Sequence, residues 1–151
     1  MQKLKNHLAV LLMVFAVFFT AAPVFAAEIS FDAKVKEAAV NQQIKVDVLL
    51  NTENEEINAV EGNILFSSEL LDLKEIRDAN SILNFWVERP KSEAVGKITF
   101  SGITPGGYRG ERGLLFSLVF QTKKDGQGTI EIRELKALLN DGKGTEADTT
   151  I

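Results

Sequence analysis

The side chains that carry most nucleophilic and metal chemistry at neutral pH are scarce in this chain. His7 is the single histidine, and there is no cysteine. His7 stands in an apolar N-terminal segment, so everything after residue 26 lacks both types. That excludes Ser-His-Asp and Cys-His catalysis there, and zinc sites built on nitrogen or sulfur ligands. Oxygen chemistry is what remains. The chain has 21 Asp and Glu residues, and a carboxylate pair is what glycoside hydrolysis requires. No spacing marks one pair among them, and no insertion builds a cleft around one. The chain reads as a non-enzyme. Two segments are rich in oxygen ligands: Asn51–Glu61 and Asn140-Asp-Gly-Lys-Gly-Thr-Glu146. Calcium takes about six to eight oxygens at set positions, and neither segment follows the EF-hand pattern. Both read as solvated hairpin turns, with no metal and no cofactor expected.

Binding chemistry is better represented. Trp86 is the only tryptophan and Tyr108 the only tyrosine. In Asn84-Phe85-Trp86 an exposed ring could anchor a partner or stack on a sugar. Neighbours on a strand face opposite ways, so the alternative places one of Phe85 and Trp86 in the core. Tyr108 lies beside Arg109 in a glycine-rich loop, where it either reaches a ligand or simply packs.

The N-terminus sets the compartment. Lys3 and Lys5 form a short positive region, an uncharged apolar run follows from Leu8 to Phe19, and Val24 and Ala26 supply small residues before a cut. This is the three-part pattern of a secretory signal. The apolar run is about 12 residues, short of the roughly 20 that a spanning helix needs. We therefore expect residues 1–26 to be removed and the mature domain, 27–151, to be secreted or held at the cell surface without a membrane span. Loss of Lys3 and Lys5 takes the 17 basic residues to 15 against 21 acidic ones, a net charge of −6. A negative domain without basic clusters is a poor ligand for nucleic acid. It is expected to be a monomer. At 125 residues it can bury a real core, and without cysteine it must be held by packing and hydrogen bonds alone.

Short alternating runs must position whatever the domain binds with. Ile29, Phe31, Ala33 and Val35 alternate with polar neighbours, as do Ile44, Val46, Val48 and Leu50. Val60, Gly62, Ile64 and Phe66 form a third row, with Ala59, Glu61, Asn63 and Leu65 on the other face. Ile98 and Phe100, then Phe116, Leu118 and Phe120, then Ile130 and Ile132 continue the pattern. Period-two alternation buries one face of a strand and wets the other. Asn51–Glu56, Pro105-Gly106-Gly107, Asp125-Gly126 and Asn140–Gly144 are turn chemistry. Strands at this spacing predict an all-β antiparallel sandwich. Ser67–Asp78 also fits an amphipathic helix. We prefer one helical turn at Ser67–Leu70, then a strand at Leu71–Ile76. Glu146–Ile151 reads as the start of a last strand, which is either short or cut short.

The order of segments resembles the cohesin domain family. Ile57-Asn-Ala-Val-Glu-Gly-Asn-Ile-Leu-Phe-Ser-Ser-Glu-Leu-Leu-Asp-Leu-Lys-Glu-Ile76 is similar to the third and fourth cohesin strands. Gly96–Gly102 resembles the sixth, Gly113–Lys123 the seventh, and Gly128–Arg133 with Ala137–Gly142 the eighth. The resemblance implies a nine-stranded antiparallel β-sandwich with jelly-roll topology, related in fold to carbohydrate-binding modules. It also implies a dockerin-type protein partner, in a polysaccharide-degrading or cell-surface assembly. That partner would lie on the sheet of strands 8, 3, 6 and 5. Strand 3 would contribute Ala59, Glu61, Asn63 and Leu65, and strand 6 Lys97, Thr99 and Ser101. Strand 8 would contribute Glu131 and Arg133, and strand 5, near Leu83–Glu88, Trp86. Ala59 departs from the small polar or acidic residues usual in the family. Four strands of about seven residues make a plane of roughly 400 Å². Side-chain relief and loop edges bring this toward the ~800 Å² per partner of an ordinary interface. Two other readings stay open: a carbohydrate-binding module using Trp86 and Tyr108, and a surface or adhesion block without a discrete ligand.

Overall fold

A computed structural model of the chain describes residues 26–35 and 37–150. The expected secretory signal, apart from Ala26, lies outside the described residues. What is described is all β. The strands are β1 (Ala27–Ala33), β2 (Gln43–Asn51), β3 (Ile57–Phe66), β4 (Leu71–Arg77), β5 (Phe85–Ala94), β6 (Lys97–Tyr108), β7 (Gly113–Thr122), β8 (Ile130–Leu139) and β9 (Thr149–Thr150). They form two sheets, ordered β4-β7-β2-β1-β9 and β5-β6-β3-β8. This is the expected nine-stranded jelly-roll sandwich. One pair departs from the antiparallel rule: β9 runs parallel to β1, with Ala27 opposite Thr149.

The alternating rows face each other across the sandwich. Val46, Val48 and Leu50 of β2, with Phe116, Leu118 and Phe120 of β7, meet Val60, Ile64, Ile98, Phe100 and Ile132 from the second sheet, all buried. Phe100 and Phe116 touch edge-on at 5.0 Å between ring centroids, and Phe66 meets Phe120 at the same distance. Such pairs add about 0.5–1.5 kcal/mol beyond the area they bury. Gly62 belongs to the inward row because a Cβ there would sit 3.1 Å from Ile132 Cδ1 and 3.5 Å from the Phe100 ring.

The Ser67–Asp78 ambiguity resolves as one turn and a strand. The amides of Leu70 and Leu71 both donate to the Ser67 carbonyl, and β4 follows at once. Two expectations need correction. Pro105-Gly106-Gly107 is not a connection between strands but lies inside β6. Gly106 and Gly107 adopt φ of +88° and +77°, and the strand bulges between Ile103, opposite Ala59, and Tyr108, opposite Ile57. Strand β5 starts and ends later than Leu83–Glu88. Leu83 is buried, its amide bound to Ser81 Oγ at 3.0 Å, and pairing with β6 begins only at Phe85.

Candidate functional site

Sheet β5-β6-β3-β8 has one face in the core and the other in solvent. Its register sorts the outward side chains into four rows, each crossing all four strands. The first is Phe85, Ile103, Ala59 and Leu138. The second is Glu88, Ser101, Glu61 and Lys136. The third is Lys91, Thr99, Asn63 and Arg133, and the fourth Ala94, Lys97, Leu65 and Glu131. Of the residues singled out in the sequence, Ala59, Glu61, Asn63, Leu65, Lys97, Thr99, Ser101, Glu131 and Arg133 therefore share one face. Thr99 presents little surface, being 8% exposed; its hydroxyl donates to Glu88 Oε1 at 3.3 Å.

Trp86 does not share that face. Opposite Gly102, it turns inward, and its ring meets Phe116 at 6.3 Å and 61°. A Cβ on Gly102 would come within 3.0 Å of Trp86 Cε3, so glycine there makes room for the indole. The exposed ring of the pair is Phe85, at 60%. Tyr108 is half-buried and packs against the core; its ring lies close to Gly110 and Gly113. Neither candidate ring for a sugar platform stands free on a flat face.

The face is polar and ion-paired away from its first row. Lys136 Nζ lies 3.2 Å from Glu61, and Lys91 Nζ lies 2.8 Å from Glu88 and 3.1 Å from Glu93. Arg133 grips Glu131 through Nη2 at 2.9 Å and Nε at 3.1 Å. The Lys91 ammonium holds the Glu88 carboxyl below the usual carboxylate range, and the Glu88 carboxylate in turn raises Lys91. Exposed pairs of this kind contribute little to stability, because solvent screens them. Their larger effect is to hold side chains extended over a shallow trough of about 560 Å³, lined among others by Glu61, Asn63, Glu88 and Lys97.

Strand β8 carries a device that was not anticipated. Arg133 and Glu134 are both exposed, because Glu134 takes φ of +51° in a β-bulge opposite Glu61–Asn63. A bulge adds a residue to one strand and re-aims its neighbours. Glu134 thus accepts a hydrogen bond from the Asn63 amide, and Lys136 and Leu138 join the face. The trace of this was in the sequence: the core-facing apolar positions move from Ile130, which is half-buried, and Ile132 to Leu135 and Ala137.

The glycine-rich loop after β8 closes on itself. Asp141 accepts the Lys143 amide at 2.8 Å and the Thr145 hydroxyl. The Thr145 hydroxyl, then the Lys143 amide, holds the Asp141 carboxyl below its usual range. No helix among the described residues is long and apolar enough to cross a membrane.

No protein-family profile matches this chain, and no curated protein matches it in sequence. Solved structures do. A cohesin module from a Clostridium perfringens family 33 glycoside hydrolase superposes with a TM-score of 0.67 at 16% identity, over 83% of this chain and 90% of that one. A type I cohesin from Clostridium thermocellum, solved in complex with a dockerin, gives 0.66 at 9% identity, over 84% and 88%. A non-cellulosomal cohesin from the archaeon Archaeoglobus fulgidus gives 0.64 at 15% identity, over 82% and 85%. At such identities the likeness establishes the fold. The chain has the cohesin fold, and the sandwich that its segments resembled is the one it forms.

Proposed function

We propose that this chain is an exported, non-catalytic docking module that binds a dockerin-type protein through the outward face of β5-β6-β3-β8. One observation carries the reading: a four-stranded face of ion-paired side chains on a fold shared with cohesins, several of them solved with dockerins. The polar second and third rows suit a wet protein interface, with about one hydrogen bond per 100–200 Å². The expected signal, residues 1–26, ends where β1 begins at Ala27. The Ala27 amide donates to the Asp148 carbonyl at 2.7 Å, a contact the ammonium created by cleavage would keep.

Calorimetric titration against the dockerin modules encoded in the same genome tests the reading. Wild type should bind at least one of them, and Glu61→Ala with Asn63→Ala should weaken that binding. A domain that binds none of them, or one that insoluble polysaccharide retains instead, is not a docking module.

A further inference from the structure

Along one side of the sandwich, β1 with β9 borders one sheet and β8 borders the other. The segment 146–150 covers one end of the seam between them. Glu146 bridges to Leu138, the Ala147 amide donates to the Ala137 carbonyl, and β9 pairs with Ala27 and Glu28. Beyond Glu28 no described strand pairs with the outer edge of β1. The inward row of β1 records where the cover stops. Ala27 and Ile29 are 1% and 4% exposed, Phe31 and Ala33 are half-buried, and Val35, two residues past the strand, is 41% exposed. Along this stretch runs a cleft of about 860 Å³, lined among others by Phe31, Ala33, Val35, Ile44, Leu70 and Ile130. Its far end is tied down by Thr122, whose hydroxyl donates to the Ala39 carbonyl at 2.5 Å and accepts the Gln42 amide at 3.0 Å. The cleft is formed before anything enters it, as ligand sites usually are.

The backbone beside the cleft selects what fits. Alternate peptide groups of a strand point to opposite neighbours. The Ala27 amide points away from β2, toward Asp148, so the amides and carbonyls of Phe31 and Ala33 point the same way. There they meet no described strand. Such an edge is a template for strand addition. An extended segment laid on it would pair with these groups and send every second side chain into the cleft. A helix or a small apolar molecule would fill the cleft and leave the amides unpaired. A second copy pairing β1 on β1 would satisfy the amides and leave the cleft empty, because its own inward row is committed to its own core.

We propose that the edge of β1 from Phe31 to Val35 accepts an extended segment of another protein, about five residues long, with apolar side chains at alternate positions that fill the cleft. Of sheet β5-β6-β3-β8, only Ile130 lines the cleft. A partner docked on the outward face of that sheet and a strand added here are therefore compatible, and neither reading depends on the other.

The test uses the mature domain and capped, lysine-flanked heptapeptides in which threonine alternates with valine, isoleucine or phenylalanine. Peptides of the same composition with their apolar residues grouped together are the control. At saturation with at least one alternating peptide, hydrogen exchange at the Phe31 and Ala33 amides should slow by about tenfold or more, and the control should leave it unchanged. N-methylation of one alternate set of peptide amides should abolish binding and methylation of the other should not, because only one set faces β1. Ala33→Pro removes an outward amide and keeps the bonds to β2, a change that edge strands tolerate; it should weaken binding by about tenfold or more. Val35→Glu puts a charge at the exposed mouth of the cleft. It should weaken binding roughly fivefold and leave the melting temperature within about a degree or two, so the test survives if Ala33→Pro fails to fold. Binding by none of the alternating peptides overturns the proposal, as does protection on β4 or β5 in place of β1. Equal effects from the two N-methylated sets would make the cleft a pocket for side chains alone and overturn strand addition. A wild-type dimer that Ala33→Pro dissolves would give the edge to a second copy and overturn it too. A domain that takes the peptides and binds no dockerin leaves this inference standing and removes the docking one.

Discussion

Phe85 and Trp86 are adjacent, aromatic and opposite in fate. The strand rule predicts that one ring is buried, but no alternation reaches far enough on either side to say which. Leu83 is held by a turn, and beyond Trp86 the strand slips register at once. Gly102 decides the matter, because only the residue opposite a missing Cβ can fold its ring inward. Trp86→Ala should therefore cost about 2–3 kcal/mol in urea unfolding and Phe85→Ala under about 1 kcal/mol. Asp47 makes a second prediction at this scale. Partial burial opposes its charge, but hydrogen bonds from Lys45 at 3.1 Å and Ser117 at 2.5 Å outweigh that and lower its pKa. A carboxyl depressed on folding stabilises the protein above its unfolded pKa, and the gain is lost as pH falls through the folded one. Thermal midpoints should be flat from neutral pH down to about 5, then fall below the ordinary Asp value of 3.8. Asp47→Asn should flatten part of that fall.

At the scale of elements, legibility followed burial. β2, β3 and β7 have neighbours on both sides, and their alternation placed nearly every inward residue correctly. β5 is an edge strand with much of its surface in water, so Arg89–Ala94 show no pattern that burial would impose. The β6 bulge was hidden for a related reason. Pro105-Gly106-Gly107 is turn chemistry, and only the return of Tyr108 to pair with Ile57 makes it part of a strand. The β8 bulge is the element that shapes the candidate site most. Glu134 pays for it with a left-handed backbone, a conformation that costs an L-residue roughly 1–2 kcal/mol. Glycine removes that strain but loses more chain entropy on folding. Glu134→Gly should accordingly raise stability by up to about 1 kcal/mol in denaturant unfolding. Glu134→Val should lower it by more than about 1 kcal/mol, because a β-branched side chain tolerates positive φ least. Equal loss from both substitutions would mean that the carboxylate, not the backbone, sets the stability of the bulge.

The described domain is a closed arrangement of packing without covalent staples, and its first and last strands meet. β9 pairs with β1, Asp148 accepts the Ala27 amide, and the Ala147 amide donates to Ala137 at 2.8 Å. Ala27, Ala137 and Ala147 are all buried where these segments cross. The sequence predicted a final strand but not its parallel pairing, because Thr149–Thr150 is too short to show a period and its partner lies more than a hundred residues away. The seam joins the first strand to the last, so it should be part of the same cooperative unit as the core. Residues 27–151 expressed alone should unfold in one transition, with the same midpoint in the presence and absence of reductant. Removal of residues 146–151 takes away the acceptor for Ala27, the donor to Ala137 and the cover over both. At about 0.5–1.5 kcal/mol per net hydrogen bond, plus the apolar area uncovered, the truncated domain should lose roughly 2–4 kcal/mol. Chemical denaturation followed by circular dichroism measures this directly. A truncated domain as stable as the full one would show that β1 is held by β2 alone and that the seam contributes nothing to the fold.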